Sequence, residues 1–266
     1  MNMFLHELKS LRKTTIIWTV SLVALLALYL SIYPGMAKDA EDFKTLLGNY
    51  PAPVRAILGI NLDTITSILG FYSMIFSFIV VFGAVQAMNL GVSILSREAR
   101  ERTADFLLVK PVSRTSIVTA KLLAAFTDIV ITNVIFLTVS FIMANAVKTS
   151  DFDLKAFFLI NLTLFFIQVI FLAIGMISSV FFKKLKNILP LSLGVVFGLY
   201  MIGALIATGK DVDATRYISP FRYFDIPYII KNTSYEASYM ITGIAIVVIS
   251  IIVSYIVYNK KDIHAV

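Results

Sequence analysis

Six apolar stretches, each about long enough for one helix to cross ~30 Å of hydrocarbon, constrain this chain more than any other feature. They cover residues 15–33, 68–95, 117–147, 157–182, 188–208 and 237–258. Strict in–out alternation over ten-residue segments is missing, so a membrane β-barrel does not fit. Hydrophobic residues make up 59% of the 266 and charged residues 15%, against ~45–50% and ~25% in ordinary soluble domains. Long apolar runs with little charge also exclude a disordered protein. The expected fold is an all-α polytopic membrane protein with six transmembrane helices. The second and third stretches exceed one crossing, so they tilt or project into water. The first follows a basic stretch, as a signal peptide would. No small-residue cleavage site follows it, so it reads as an anchor.

Orientation follows from basic residues in the loops. Segments 1–14, 96–116, 183–187 and 259–266 lie on one side and hold 13 Lys and Arg in 48 positions. Loops 34–67, 148–156 and 209–236 lie on the other and hold 9 in 71. The first side is therefore expected to be cytoplasmic, with both termini, in a multi-pass plasma-membrane protein. The net charge of +7 is spread over these juxtamembrane loops, so it is a topology signal and not a nucleic-acid footprint.

Several chemistries drop out. There is no cysteine, and the two histidines, His6 and His264, lie at opposite ends. That leaves no thiolate site, no histidine metal cluster and no serine–histidine triad. His6–Glu7 starts like the zinc-protease pattern H-E-x-x-H, but Ser10 stands where the second histidine belongs. A phosphate-cradling loop needs G-x-x-x-x-G-K-[ST]; Gly209–Lys210 is followed by Asp211, and Gly203 stands one residue too far upstream. No cofactor or metal is expected on this chain.

Residues 3–13 read as a short interfacial helix: Phe4, Leu8 and Leu11 share one face, and Lys9, Arg12 and Lys13 can meet headgroups. A plain extension of the first span is the alternative. In loop 34–67, Phe43, Leu46 and Leu47 suggest a short amphipathic helix that Pro51 and Pro53 break. Loop 209–236 carries Tyr217, Phe221, Tyr223, Phe224 and Tyr228, which read as an interfacial belt or else a substrate exit.

Polar side chains stand inside the apolar stretches: Gln86 and Asn89 in the second, Asp128 and Asn133 in the third, Asn161 and Gln168 in the fourth. An ionised carboxylate at the bilayer centre costs ~2.5–3.5 kcal/mol on insertion scales. Without a second acid nearby, Asp128 reads as a structural contact between helices; a transported-ion site is the sharper alternative. Lys121, seven residues earlier, can snorkel to the inner surface. Gly83, Ala87 and Gly91 are spaced by four in the second stretch, as are Gly194 and Gly198 in the fifth. This spacing allows close helix packing, between two copies or within the chain.

Loop 96–116 is the most informative. Arg97, Glu98, Arg100, Glu101 and Arg102 alternate in charge; Phe106, Leu107, Leu108 and Val109 follow, ended by Pro111. Apolar residues presented by a charged loop suggest docking onto a partner protein. Glu98, Arg102, Thr103, Leu107, Leu108, Pro111, Ser113, Arg114 and Lys121 together resemble the loop of permease subunits of type-2 ATP-binding-cassette exporters. In that family a charged, threonine-containing stretch leads to an L-x-x-P-x-S-R turn and a later lysine. Arg102 departs from the family, which often has glycine before the threonine. YISPFRYFD at 217–225 and YNKKDI at 258–263 are further resemblances. The resemblance implies an N-terminal interfacial helix, a coupling helix between spans two and three, and two paired permeases, alike or different. It also implies separate cytoplasmic P-loop ATPase subunits that hold ATP and Mg2+ and drive export. The coupling residues it marks here are Glu98, Arg100, Arg102, Thr103, Phe106, Leu107, Pro111, Ser113 and Arg114.

Two other classes compete with a permease. An ion-coupled secondary transporter using Asp128 would favour inverted repeats and interrupted helices, and no clear repeat is seen. A membrane enzyme lacks the constellation it would need. The topology carries a direct test. A single cysteine at Ser10 is expected to resist a membrane-impermeant reagent in intact cells, and one at Thr149 to react; the reverse pattern inverts the orientation.

Overall fold

The computed structural model describes residues 3–101, 113–181, 187–209 and 212–260. Among these residues there is no strand, and six helices are long and apolar enough to cross a membrane. They are Met3–Leu30, Ile68–Glu101, Arg114–Val147, Leu154–Phe181, Leu189–Ile206 and Ala237–Lys260. A helix satisfies all of its interior backbone groups, which hydrocarbon cannot do.

Three differences from the sequence reading stand out. The expected interfacial helix is not a separate element, because residues 3–13 run without a break into the first long helix. No proline or glycine interrupts residues 3–30, so nothing stops the backbone ladder. The amphipathic face is nonetheless present: Phe4, Leu8 and Leu11 are half-buried while Lys9, Arg12 and Lys13 are exposed. Secondly, the two prolines of loop 34–67 do more than end a helix. Ala40–Gly48 stops before them, and Pro51 caps a second short helix, Ala52–Ile57, with Pro53 in its first turn. Thirdly, the aromatic residues of loop 209–236 divide: Tyr217 is exposed, while Phe221 and Tyr228 are half-buried. Tyr223 and Phe224 are buried, and Phe224 stacks on Phe166 of the fourth long helix at 5.5 Å.

The second and fourth long helices form the axis of the bundle. In their most apolar windows 78% and 61% of residues are buried, against 17–33% in the other four helices. The first helix packs chiefly on the third, and the sixth on the fourth. Outward residues such as Ile17, Val20, Leu205, Ile241 and Ile249 are exposed, which suits a bundle solvated by lipid.

The axis depends on glycine. A Cβ at Gly91 would lie 2.1 Å from the Leu172 carbonyl oxygen and 3.0 Å from Gly175 Cα. A Cβ at Gly175 would likewise crowd backbone, 2.5 Å from the Met88 carbonyl oxygen. A Cβ at Gly83 would meet a side chain instead, Leu164 Cδ1 at 2.5 Å, and Ala87 is fully buried. The Gly83–Ala87–Gly91 face is therefore filled by the fourth helix of the same chain and is not open to a second copy. Gly194 and Gly198 have open space beside them.

Backbone does not yield as a leucine tip does. Gly91→Ala is expected to destabilise the protein by about 3 kcal/mol, and Gly83→Ala by about 1 kcal/mol, the upper and lower ends for overpacking. Thermal unfolding of the two variants in detergent checks the order.

Candidate functional site

Polar side chains from four helices meet inside the bundle. The Asn133 amide donates to Gln168 Oε1 at 2.5 Å, and Gln168 Nε2 donates to Gln86 Oε1 at 3.1 Å. Gln86 Nε2 lies 3.4 Å from Asp128 Oδ2 and 3.1 Å from the Thr132 hydroxyl. The Thr15 hydroxyl donates to Asp128 Oδ1, and Thr19 and Thr132 share a hydrogen bond of 3.1 Å. Each amide donates to the next carbonyl, and the relay ends on the carboxylate. Gln86, Asp128, Thr132 and Gln168 are essentially fully buried.

Local structure explains the meeting. Asp128 and Thr132 lie four residues apart and share one helix face, which the first helix covers through Thr15 and Thr19. Asn133 lies on an adjacent face and meets the fourth helix. A second node sits further along: Tyr72 and Ser140 both donate to Asn161 Oδ1, at 2.7 and 3.0 Å.

Of the polar residues singled out from sequence, Gln86, Asp128, Asn133 and Gln168 come together, while Asn161 belongs to the second node. Asn89 does not join them; its Oδ1 is buried with no hydrogen-bond partner among the described residues. Both Asp128 oxygens accept hydrogen bonds, so the carboxylate is engaged as a structural acceptor. Among the described residues no three acidic or histidine side chains cluster as a metal site would need.

The coupling residues divide. Glu98 and Arg100 fall in the last turns of the second long helix. Arg102, Thr103, Phe106, Leu107 and Pro111 lie outside the described residues. Ser113 caps the third long helix, its Oγ accepting from the Ser116 N–H at 3.2 Å, and Arg114 is that helix's first residue. Lys121 turns inward, where its Nζ donates to the Ile94 carbonyl at 3.2 Å. It thereby ties the ends of the second and third helices together instead of reaching the surface.

The sequence reading missed a third polar centre. Arg216 is buried at the far end of the bundle and holds Glu236 through two bonds, of 3.1 and 2.5 Å. It also donates to the Arg222 carbonyl at 3.2 and 3.1 Å, and its guanidinium lies 4.0 Å from the Tyr239 ring centroid. Burial opposes its charge, but Glu236 outweighs burial and holds the guanidinium above its ordinary pKa. The signal lay in an arginine and a glutamate flanking the aromatic loop, 20 residues apart, with no helical period to join them.

Residues 1–263 match the model of the ABC-2 family transporter protein. No curated protein matches the chain.

The relay makes its members unequal. Gln86 joins three partners, so Gln86→Leu is expected to cost about 2 kcal/mol. Asp128→Asn is expected to cost under about 1 kcal/mol, within the range of interhelical hydrogen bonds in membranes. There the Thr15 hydroxyl can turn to the Leu11 carbonyl, 3.0 Å away. Unfolding of the purified variants in detergent checks the ranking.

Proposed function

Because the chain belongs to the ABC-2 transporter family, as a multi-pass membrane permease, we propose that it is the transmembrane subunit of an ATP-driven exporter. The observation that carries this is the family match over 263 of 266 residues. Two permeases, alike or different, form the substrate path. Separate cytoplasmic P-loop ATPase subunits supply ATP and Mg2+ chemistry, and this chain contributes none of it.

The end of the bundle holding residues 96–116 is the coupling end. Its composition supports this: charges to orient a partner, apolar residues Phe106 and Leu107 to anchor it, and a proline, Pro111, whose ring restricts the backbone. Apolar anchors supply most docking energy, and rim charges set orientation and rate. Glu98 and Arg100 end one long helix, while Ser113 and Arg114 start the next. A push on the loop therefore acts on the second and third helices, which the Gln86–Asp128 contact joins. Pairing of permeases is supported on the fifth helix, where Gly194 and Gly198 face open space at a spacing that allows close approach. The basic bias puts both termini on the cytoplasmic side.

An ion-coupled mechanism gains no support from Asp128, which the relay employs as an acceptor. Asp128→Asn is accordingly expected to keep most transport.

Phe106→Ala and Glu98→Arg are expected to weaken co-purification with the ATPase subunit, or to uncouple its hydrolysis from transport in proteoliposomes. Membrane insertion should survive, since both positions lie outside the apolar stretches. Wild-type association, hydrolysis and transport in both variants would sink the coupling assignment.

A further inference from the structure

A cavity of about 710 Å3 opens at the opposite end of the bundle from the coupling loop. Its walls are the Ala52–Ile57 helix and the turn after it, the second and fifth long helices, and residues 221–230. We propose that this cavity binds the phosphate headgroup of an amphiphile, with Arg222 as its principal donor.

Charge is the first argument. Arg55, Arg222, Asp63 and Asp225 line the cavity, but they are not equally free. The Asp225 carboxylate caps the Ile226–Asn232 helix, accepting from the Tyr228 N–H at 3.3 Å. Asp63 is exposed to solvent, where its charge is screened. Arg216, the neighbouring cation, is consumed by Glu236. Asp225 lies near enough to favour the Arg222 charge, but no ion pair joins the two among the described residues, and the Arg222 Nε is buried without an acceptor. A buried donor left unmade is costly, the more so for a charged group. A ligand oxyanion would recover that cost, and a guanidinium fork matches phosphate geometry.

The way Arg222 is held is the second argument. A Cβ at Gly203 would come 2.8 Å from Ser219 Oγ and 3.3 Å from Arg222 Cγ. The missing side chain lets the arginine stem lie against the fifth helix. Ser219 Oγ donates to the Leu199 carbonyl at 2.7 Å and fixes that approach. From the same fifth helix the Tyr200 hydroxyl donates to the Ile57 carbonyl and holds the short helix against it. The site is thus built on both sides. Its volume exceeds what free phosphate fills, and Phe221, Phe224, Ile226 and Ile230 supply apolar lining for a chain.

The test uses the full chain in phosphatidylcholine nanodiscs without any ATPase, so its outcome is separate from that of the coupling reading. Retention of radiolabelled lysophosphatidate is measured against empty nanodiscs. Saturable binding is expected, displaced by unlabelled lysophosphatidate and not by inorganic phosphate at the same concentration. Arg222→Gln should weaken it about tenfold, the loss of one charge-assisted hydrogen bond. Ala56→Leu fills the cavity from a half-buried surface helix; it should weaken binding as much and keeps the test decisive if Arg222→Gln does not fold. Unsaturable retention, equal displacement by inorganic phosphate, or wild-type affinity in the folded variants would overturn the proposal.

Discussion

A directed chain of hydrogen bonds, Asn133 to Gln168 to Gln86 to Asp128, holds the centre of this bundle in register. Lipid offers no partner to a buried amide, so every member must find one in the protein. Each bond polarises the next, and the chain ends on a carboxylate that also takes the Thr15 hydroxyl. The arrangement needs four helices at fixed heights. A slip of one turn, ~5.4 Å, would leave at least one amide unmade. The glycines make the relay reachable: Gly91 and Gly175 bring the second and fourth helices close enough for Gln168 to reach both Gln86 and the Gly83 carbonyl.

Outside this core the attachments are fewer and of another kind. The fifth helix is held at one end by Tyr200 to the Ile57 carbonyl and by Ser219 to the Leu199 carbonyl. Ser192, lower on the same helix, is buried with its hydroxyl unpartnered among the described residues. The sixth helix packs on the fourth and reaches the third through a hydrogen bond between the Tyr255 and Thr119 hydroxyls at 2.8 Å. Four helices form a polar-locked unit, and two lie against it mainly through apolar contact. Van der Waals packing in lipid carries no added hydrophobic drive, so those two helices are the ones displaced at least cost.

Hydropathy made the second to sixth helices legible, because twenty apolar residues in a row have few other fates. It could not show that residues 3–13 continue the first helix, since an amphipathic helix in the interface and an extension of a span have the same periodicity. Gln86, Asp128, Asn133 and Gln168 were visible as anomalies in apolar stretches. That they meet each other, and that Asn89 stands aside, depends on helix rotation and height, which period alone does not carry. Thr15 and Thr19 gave no signal, being ordinary residues at the start of a span. The glycine face was legible as a packing face, while its partner was decided by tertiary structure: Gly175 sits at the matching height on the fourth helix. Arg216 and Glu236 could not be paired for a plainer reason, since a loop has no period against which two residues can be aligned.

That loop repays a last physical step. Burying Arg216 beside Tyr239 is tolerable only because Glu236 and the Arg222 carbonyl take up its donors. Accepting from Arg216 fixes the backbone at residue 222 and turns that residue into a support for its neighbour. The Arg222 side chain is then left to the cavity. Burial lowers its pKa from the ordinary value, and Asp225 pulls the other way. One arginine is therefore spent on structure so that a second can stand charged in a partly dry site. The charged pair between Arg216 and Glu236 costs desolvation and returns little net stability; what it secures is the position of Arg222.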